Sequence, residues 1–288
     1  MTGLSPQAIA LWLLIAGNLT ASLSDVMVKL LDGSVSPFQY IFVRQLISVA
    51  VIYPLWRKET QATRQLRSPG LNIFRAHLVL IGSGCMVVAI THMTLASANA
   101  VFYAAPLLML PISVLMMGEK PSRSKVFGTL VGFVGVLIVL RPSQFHWAAF
   151  FALGTATTLA LFNVSARKLP EQQSMISTLF WTSLLSLPVA GILAVWSWQP
   201  INASQLGLIA AGALLILVYN GLAVLAYRKA PAGEIGLAEY SGLVFVTLFG
   251  IWWFNEIPDW ITAMGIMLII TPLLPVSYTH LRAHETTD

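Results

Sequence analysis

Glu239 stands inside the run Ala232–Pro258 (AGEIGLAEYSGLVFVTLFGIWWFNEIP), which is apolar for long enough to cross a bilayer. An ionisable side chain held in hydrocarbon costs at least ~2.5 kcal/mol, so it needs a partner or a wet cavity. A carboxyl group so placed can exchange a proton as its surroundings change, or dock a cationic part of a solute. Asp25 and Lys29 are four apart and share a helix face, and Arg44 lies about two turns into the next apolar run. Two readings of these charges stay open. Asp25 pairs with Arg44 or Lys29 to neutralise buried charge, or the group forms a gate or docking point for a charged solute. His92, Tyr103, Asn163, Tyr219 and Asn220 are further polar side chains at membrane depth, where interhelical hydrogen bonding is as common as solute contact. The candidate solute-binding set is therefore Glu239, Asp25, Arg44, His92, Tyr103, Asn163, Tyr219 and Asn220, with no catalytic and no metal-binding residue.

The elements that position these groups are membrane spans. Hydrophobic residues make up 57% of the 288 residues, charged residues 9%, and the mean hydropathy is +0.79. Soluble domains carry roughly 25% charged residues, so the chain reads as an integral membrane protein. The basic pI of 9.5 fits loop lysines and arginines better than a nucleic-acid surface. The lone Cys85 excludes a disulfide framework, and no cleaved signal peptide is expected.

Ten apolar segments are expected: Ala8–Leu31, Phe38–Trp56, Ala76–Ser97, Asn99–Met117, Lys125–Leu140, Trp147–Ala166, Met175–Trp196, Gln205–Ala226, Ala232–Phe254 and Trp260–Pro275. The third and fourth meet at Ala96–Asn99, which predicts a tight turn there. Loops after the even segments hold Arg57, Lys58, Arg64, Arg67, Arg75, Lys120, Arg123, Lys125, Arg167, Lys168, Arg228 and Lys229. The other side holds Arg141, with Lys29 at the edge of the first segment. This bias predicts that the even loops and both termini are cytoplasmic.

The halves of the chain correspond. Adding 137 carries Tyr103 to Tyr240, Glu119 to Glu256, Pro121 to Pro258 and Gly128 to Gly265; adding 138 carries Asp25 to Asn163, Lys29 to Arg167 and Ser48 to Ser186. Five segments per copy is an odd number, so the second copy enters the membrane upside down. The predicted fold class is all-α integral membrane, with ten transmembrane helices as two inverted five-helix repeats, 1–141 and 142–275, helix ten being truncated. Glu119 and Glu256, each at a helix end before proline, read as caps or ion-pair partners.

The run Leu95–Arg141 resembles the EamA type of the drug/metabolite transporter superfamily. The resemblance rests on small residues at Ala96–Ala100, on Pro106, on Gly118-Glu119-Lys120-Pro121, and on Gly128, Gly132 and Gly135. Ala232–Pro275 resembles the same unit, with Asn255-Glu256-Ile257-Pro258. The resemblance implies a central cavity lined mainly by helices one, three, four, six, eight and nine. The spans, the inverted repeat and the buried charges together point to secondary transport of a small organic metabolite across a bacterial inner membrane by alternating access. Asp25 and Glu239 suit an amine where Arg44 suits a carboxylate, so an amino-acid-like or related solute fits both. Expected partners are the small-molecule substrate and the lipid bilayer, with a homodimer left open and with no nucleic acid and no cofactor.

An intramembrane enzyme is the reading from another class. It would need a motif such as H-E-x-x-H or a pair of facing aspartates. Neither is present, and there is no Walker-type G-x-x-x-x-G-K-[ST]. A non-transporting membrane scaffold is the third reading. Val276–Thr286 (VSYTHLRAHET) breaks the pattern and resembles a translated sequencing-library adapter; residues 276–288 are read as a non-native tail, so His280 and His284 carry no metal reading.

Overall fold

A computed structural model of the chain describes residues 5–118, 120–121, 123–141, 146–170, 172–230 and 236–270. Among these residues all regular structure is helical. The elements are α1 (Pro6–Leu30), α2 (Pro37–Lys58), a short α3 (Gln61–Arg64), α4 (Pro69–His92), α5 (Leu95–Phe102), α6 (Ala105–Met117), α7 (Arg123–Leu140), α8 (Ala148–Ala166), α9 (Met175–Trp196) and α10 (Ala203–Lys229). A 3-10 turn (Gly236–Tyr240), α11 (Ser241–Phe254) and α12 (Trp260–Ile270) follow. Seven helices have the length and hydropathy of a membrane crossing, with Leu95–Met117 counted as one across its interruption; Val126–Leu140, Ala238–Phe254 and Trp260–Ile270 are shorter apolar helices. The expected tail, the first residues of the ninth segment (232–235), the last of the tenth (271–275) and Glu119 lie outside the described residues.

Local chemistry explains the starts and breaks. Proline stands in the first turn of α1, α2, α4 and α6, where its missing N–H costs nothing. Asn202 and Gln205 form a reciprocal capping box at α10. Pro106 cannot donate to the carbonyl of Phe102 four residues earlier, and the chain turns at Tyr103–Ala104 between α5 and α6.

Two expectations are corrected. The turn predicted at Ala96–Asn99 falls at Met93–Thr94 instead. The Thr94 hydroxyl accepts from the Ser97 N–H (3.3 Å), so Ala96–Asn99 is the first helical stretch of α5. Small residues there signal close packing rather than a loop. Arg75 is likewise not a loop residue: it lies in α4, is 3% exposed, and stacks on the Phe162 ring at 3.7 Å. It donates to the Phe162 carbonyl and to Ser165 Oγ (3.1 Å), which holds its charge inside the bundle.

The bundle packs α1 along α10, α4 along α8, α2 along α9 and α7 along α12. Alanines at these seams (Ala10, Ala76, Ala152, Ala156, Ala213) are fully buried and let backbones approach closely. The outer faces are apolar, as at Leu115, Val195 and Trp196, a surface suited to lipid rather than water. α7 and α12 cross at Gly135 and Gly265. A methyl at Gly135 would lie 2.7 Å from the Gly265 carbonyl oxygen, and one at Gly265 would lie 2.6 Å from Val139 Cγ2. Gly135→Ala is expected to cost about 2 kcal/mol through overpacking against backbone. A thermal unfolding midpoint equal to that of the parent would refute this.

At the same crossing Asp259 accepts from the Thr262 N–H (3.0 Å) and pairs with Arg141. The Thr262 backbone bond first, and Arg141 second, hold the Asp259 carboxyl below its usual value of 3.8. A depressed carboxyl contributes stability above its unfolded pKa and loses it as pH falls through the folded value. The cap therefore weakens below about pH 4. The stability of Asp259→Asn is expected to vary less over that window; identical acid profiles for variant and parent would count against the cap.

Candidate functional site

A cavity of about 290 Å³ lies between α2, α4, α8, α9 and α10. Arg44, Gln45 and Ser48 project into it from successive turns of α2, because residues four apart share a face. Ser83 enters from α4, Thr182 and Ser183 from α9, and Tyr219 and Asn220 from α10. The Arg44 guanidinium donates to Ser83 Oγ at 2.6 Å and lies 5.7 Å from the centre of the Tyr40 ring. Apolar side chains such as Ile52, Leu78, Phe162 and Leu217 supply the rest of the wall.

A second polar cluster adjoins it. Asn18 on α1 is 1% exposed and donates to the carbonyls of Ala238 (2.8 Å) and Glu239 (3.1 Å) and to Ser241 Oγ (3.2 Å). One turn on, Ser22 donates to the Gly242 carbonyl (3.2 Å). These contacts fasten the 3-10 turn that carries Glu239 to α1. The Tyr103 and Tyr240 rings, each at a helix interruption, lie 5.6 Å apart. The Tyr103 hydroxyl occupies the space a side chain at Gly242 would need, 1.9 Å from its Cβ position. Asp25, Glu239 and Tyr219 are all within electrostatic reach of Tyr103. Tyr219 joins the two regions, since it lines the cavity and its ring packs against Gly17 of α1.

Of the sequence candidates, Arg44, Tyr219 and Asn220 line the cavity, while Asp25, Tyr103 and Glu239 gather beside it. Asn163 is exposed on α8, and His92 is exposed with its ring 4.7 Å from that of Trp147; neither lines the cavity. Of the two partners open for Asp25, Lys29 is taken by another, while Arg44 stays within electrostatic reach. Lys29 Nζ meets Glu256 Oε1 at 2.5 Å and donates to the Met93 carbonyl at 2.6 Å, while Asp25 faces the Asn99 amide. Lys29 reaches along α1 toward the helix end, away from Asp25. The cavity wall also differs from the expected one: α4, α8 and α10 correspond to expected segments, but α2 and α9 take the places expected of the first, fourth and ninth. Those three pack on one another through Asn18, Ser22, Tyr103 and Gly242.

Asn18, Ser22, Ser48, Ser83, Thr182 and Ser183 were missed as candidates. The spacing Asn18–Ser22–Asp25 on one face of α1 was the available signal. So was the 138-residue offset, which carries Arg44 to Thr182 and Gln45 to Ser183.

These features define a polytopic helical membrane protein with a solute-sized internal cavity holding a buried cation. The chain belongs to the EamA-like transporter family, whose model matches residues 8–141 and again 146–278. It is similar to the S-adenosylmethionine uptake transporter of Rickettsia prowazekii (25% identical, covering 93% of this chain and 92% of that one). It is also similar to the pseudopaline exporter of Pseudomonas aeruginosa (25%, covering 93% and 95%) and the riboflavin transporter of Vibrio cholerae (27%, covering 91% and 90%). A solved crystal structure shares the fold, with a TM-score of 0.63 at 19% identity over 96% of this chain and 99% of that one.

Proposed function

We propose that the protein is a secondary transporter that moves a small organic metabolite, amino-acid-like, amine or related, across the inner membrane by alternating access. In this reading ten spans form two inverted five-helix repeats, with both termini in the cytoplasm. The observation that carries it is the meeting of two interrupted helices. Tyr240 stands 137 residues after Tyr103, each marks a break, and the two rings face one another beside the cavity. Paired discontinuous helices of this kind border solute sites in many secondary transporters.

Further support comes from the packing. Exchanging the halves turns the α1–α10 contact into α8–α4, and leaves α2–α9 and α7–α12 each as itself. One pair of positions stays in contact with the bond reversed: Ser24 donates to the Gly212 carbonyl (3.2 Å), and at the exchanged positions Arg75 donates to the Phe162 carbonyl. Relatives named for uptake and for export both fit such a carrier, whose direction depends on coupling. The basic loops put the Ile52 and Leu179 end of the cavity on the cytoplasmic side. In this reading the Lys29–Glu256 pair lies toward the opposite side of the membrane.

The test is flux into proteoliposomes across a panel of amino acids, amines and related metabolites, with and without a pH gradient, for the parent protein and Glu239→Gln. Saturable flux whose pH dependence changes in Glu239→Gln is the expected result. No saturable flux for any class would overturn the transport reading, and an unchanged pH profile would remove Glu239 from it.

A further inference from the structure

We propose that the cavity around Arg44 is a carboxylate subsite, so that the carried solute must present one carboxylate group there; the proposal rests on the transport reading and narrows it. Arg44 is the charged residue among the described cavity-lining residues, and it is 8% exposed. Ser83 accepts one hydrogen bond from a group with five N–H donors, and it is neutral, so it balances no charge. The two ion pairs among the described residues, Lys29–Glu256 and Arg141–Asp259, leave Arg44 out. Asp25 is the acid within its field, but Asp25 faces Asn99 and does not line the cavity.

A guanidinium in a mostly apolar cavity without an ion-pair partner is costly. That cost is relieved when a solute brings the opposite charge. A carboxylate accepts two parallel N–H bonds from one guanidinium and neutralises it one for one. A phosphate monoester dianion would leave one negative charge unbalanced in the same space. The hydroxyls of Ser48, Thr182 and Ser183 stand ready for the remaining polar atoms, and Ile52 and Leu217 offer an apolar bed for the body of the solute. An amine without an acid group finds no counter-charge at this wall, so the subsite discriminates against it.

The field of Arg44 can be read without knowing the substrate. In a Cys85→Ser background, Ser48→Cys (one turn from Arg44) and Ser183→Cys (on α9) place single thiols in the cavity. Detergent-solubilised protein is reacted with the anionic sulfonatoethyl and the cationic trimethylammonioethyl methanethiosulfonates, each rate being divided by that of a free thiol. The anionic reagent is expected to be favoured by about tenfold or more. Arg44→Lys should keep that preference because the charge remains, and Arg44→Gln should abolish it. Asp25→Asn, which removes the opposing acid, should enlarge it. A cationic preference, a preference indifferent to Arg44→Gln, or no reaction with either reagent overturns the subsite. Flux of the parent protein separates the two readings. Anionic preference without flux for any solute overturns transport and leaves the subsite standing, whereas flux combined with an indifferent Arg44→Gln overturns the subsite alone.

Discussion

Glu256→Gln is expected to destabilise the folded protein by about 3 kcal/mol, and Lys29→Met by a similar amount. Both side chains are largely buried, at 13% and 16% exposure, and their charges meet at 2.5 Å. Removing one partner leaves the other charge in a poorly solvated place, and that stranded charge dominates the loss rather than the attraction itself. Glu256 does more than pair. Its second oxygen accepts from the Leu95 N–H at 2.7 Å, so one carboxylate ties the end of α11 to the start of α5 and to α1. Lys29 also lies 5.7 Å from the Phe254 ring. Glutamine retains an acceptor for Leu95, whereas Lys29→Met strands a full carboxylate. The double variant Lys29→Met with Glu256→Gln should lose much less than the two singles combined, because neither charge is then left alone. Thermal unfolding in detergent measures all four members of the cycle. Strict additivity would show that the pair is not a coupled unit.

The class of fold was legible because hydrocarbon imposes a simple rule. Apolar runs of bilayer length must be helices, since every backbone polar group has to be satisfied within its own segment. Gly118-Glu119-Lys120-Pro121 and Asn255-Glu256-Ile257-Pro258 ended runs for the same reason, and the paired register of Tyr103 with Tyr240 pointed to the repeat, whereas the breaks at those residues were read as continuous spans. Boundaries were less legible where composition has two meanings. Ala96-Ser97-Ala98-Asn99 suits a turn in water, but small residues also suit a helix pressed against neighbours, and only tertiary packing chooses between them. Arg75 misled similarly: a charge beside an apolar run usually marks the loop, yet Phe162 and Ser165 across the seam supply its acceptors and its stacking surface.

The site was half legible. Charge stands out in an apolar sequence, so Arg44, which lines the cavity, and Asp25 and Glu239, which lie beside it, were singled out. Hydroxyls do not stand out: Ser48, Ser83, Thr182 and Ser183 are ordinary membrane residues until the helices bring them to one cavity. Asn163 entered through its correspondence with Asp25, but correspondence under an inverted repeat preserves position and not exposure. His92 was polar and near a helix end, and the rim it occupies beside Trp147 is outside the cavity.

Asn18→Ala is expected to cost about 2 kcal/mol and to loosen the turn that carries Glu239. The magnitude follows from counting what is lost. Asn18 has two amide hydrogens for three acceptors: the carbonyls of Ala238 and Glu239, and Ser241 Oγ. The Ala238 carbonyl keeps a second donor, because Ser241 Oγ donates to it at 2.6 Å. Losing Asn18 therefore removes chiefly its side-chain donor to the Glu239 carbonyl, and losing such a buried hydrogen bond costs roughly 1–3 kcal/mol. Ser241→Ala alone should cost less than Asn18→Ala, since Asn18 still serves Ala238. Together the two changes take both side-chain donors from the Ala238 carbonyl, so the double variant should lose about 1 kcal/mol more than the sum of the singles. Thermal unfolding gives the energies, and hydrogen exchange of the peptide covering 236–242 reports where the loosening falls. A merely additive cycle with unchanged exchange there would remove Asn18 from this role. The first interruption is built differently. At the same offsets Asn18, Ser22 and Gly242 become Ala156, Ala160 and Ala105, and those three alanines form a small apolar cluster of their own. One interruption is packed by methyl groups and the other held by hydrogen bonds, and only the hydrogen-bonded one carries an acid. On the transport reading, movement coupled to Glu239 is expected to begin at Gly236–Tyr240, which Asn18 holds, rather than at Tyr103.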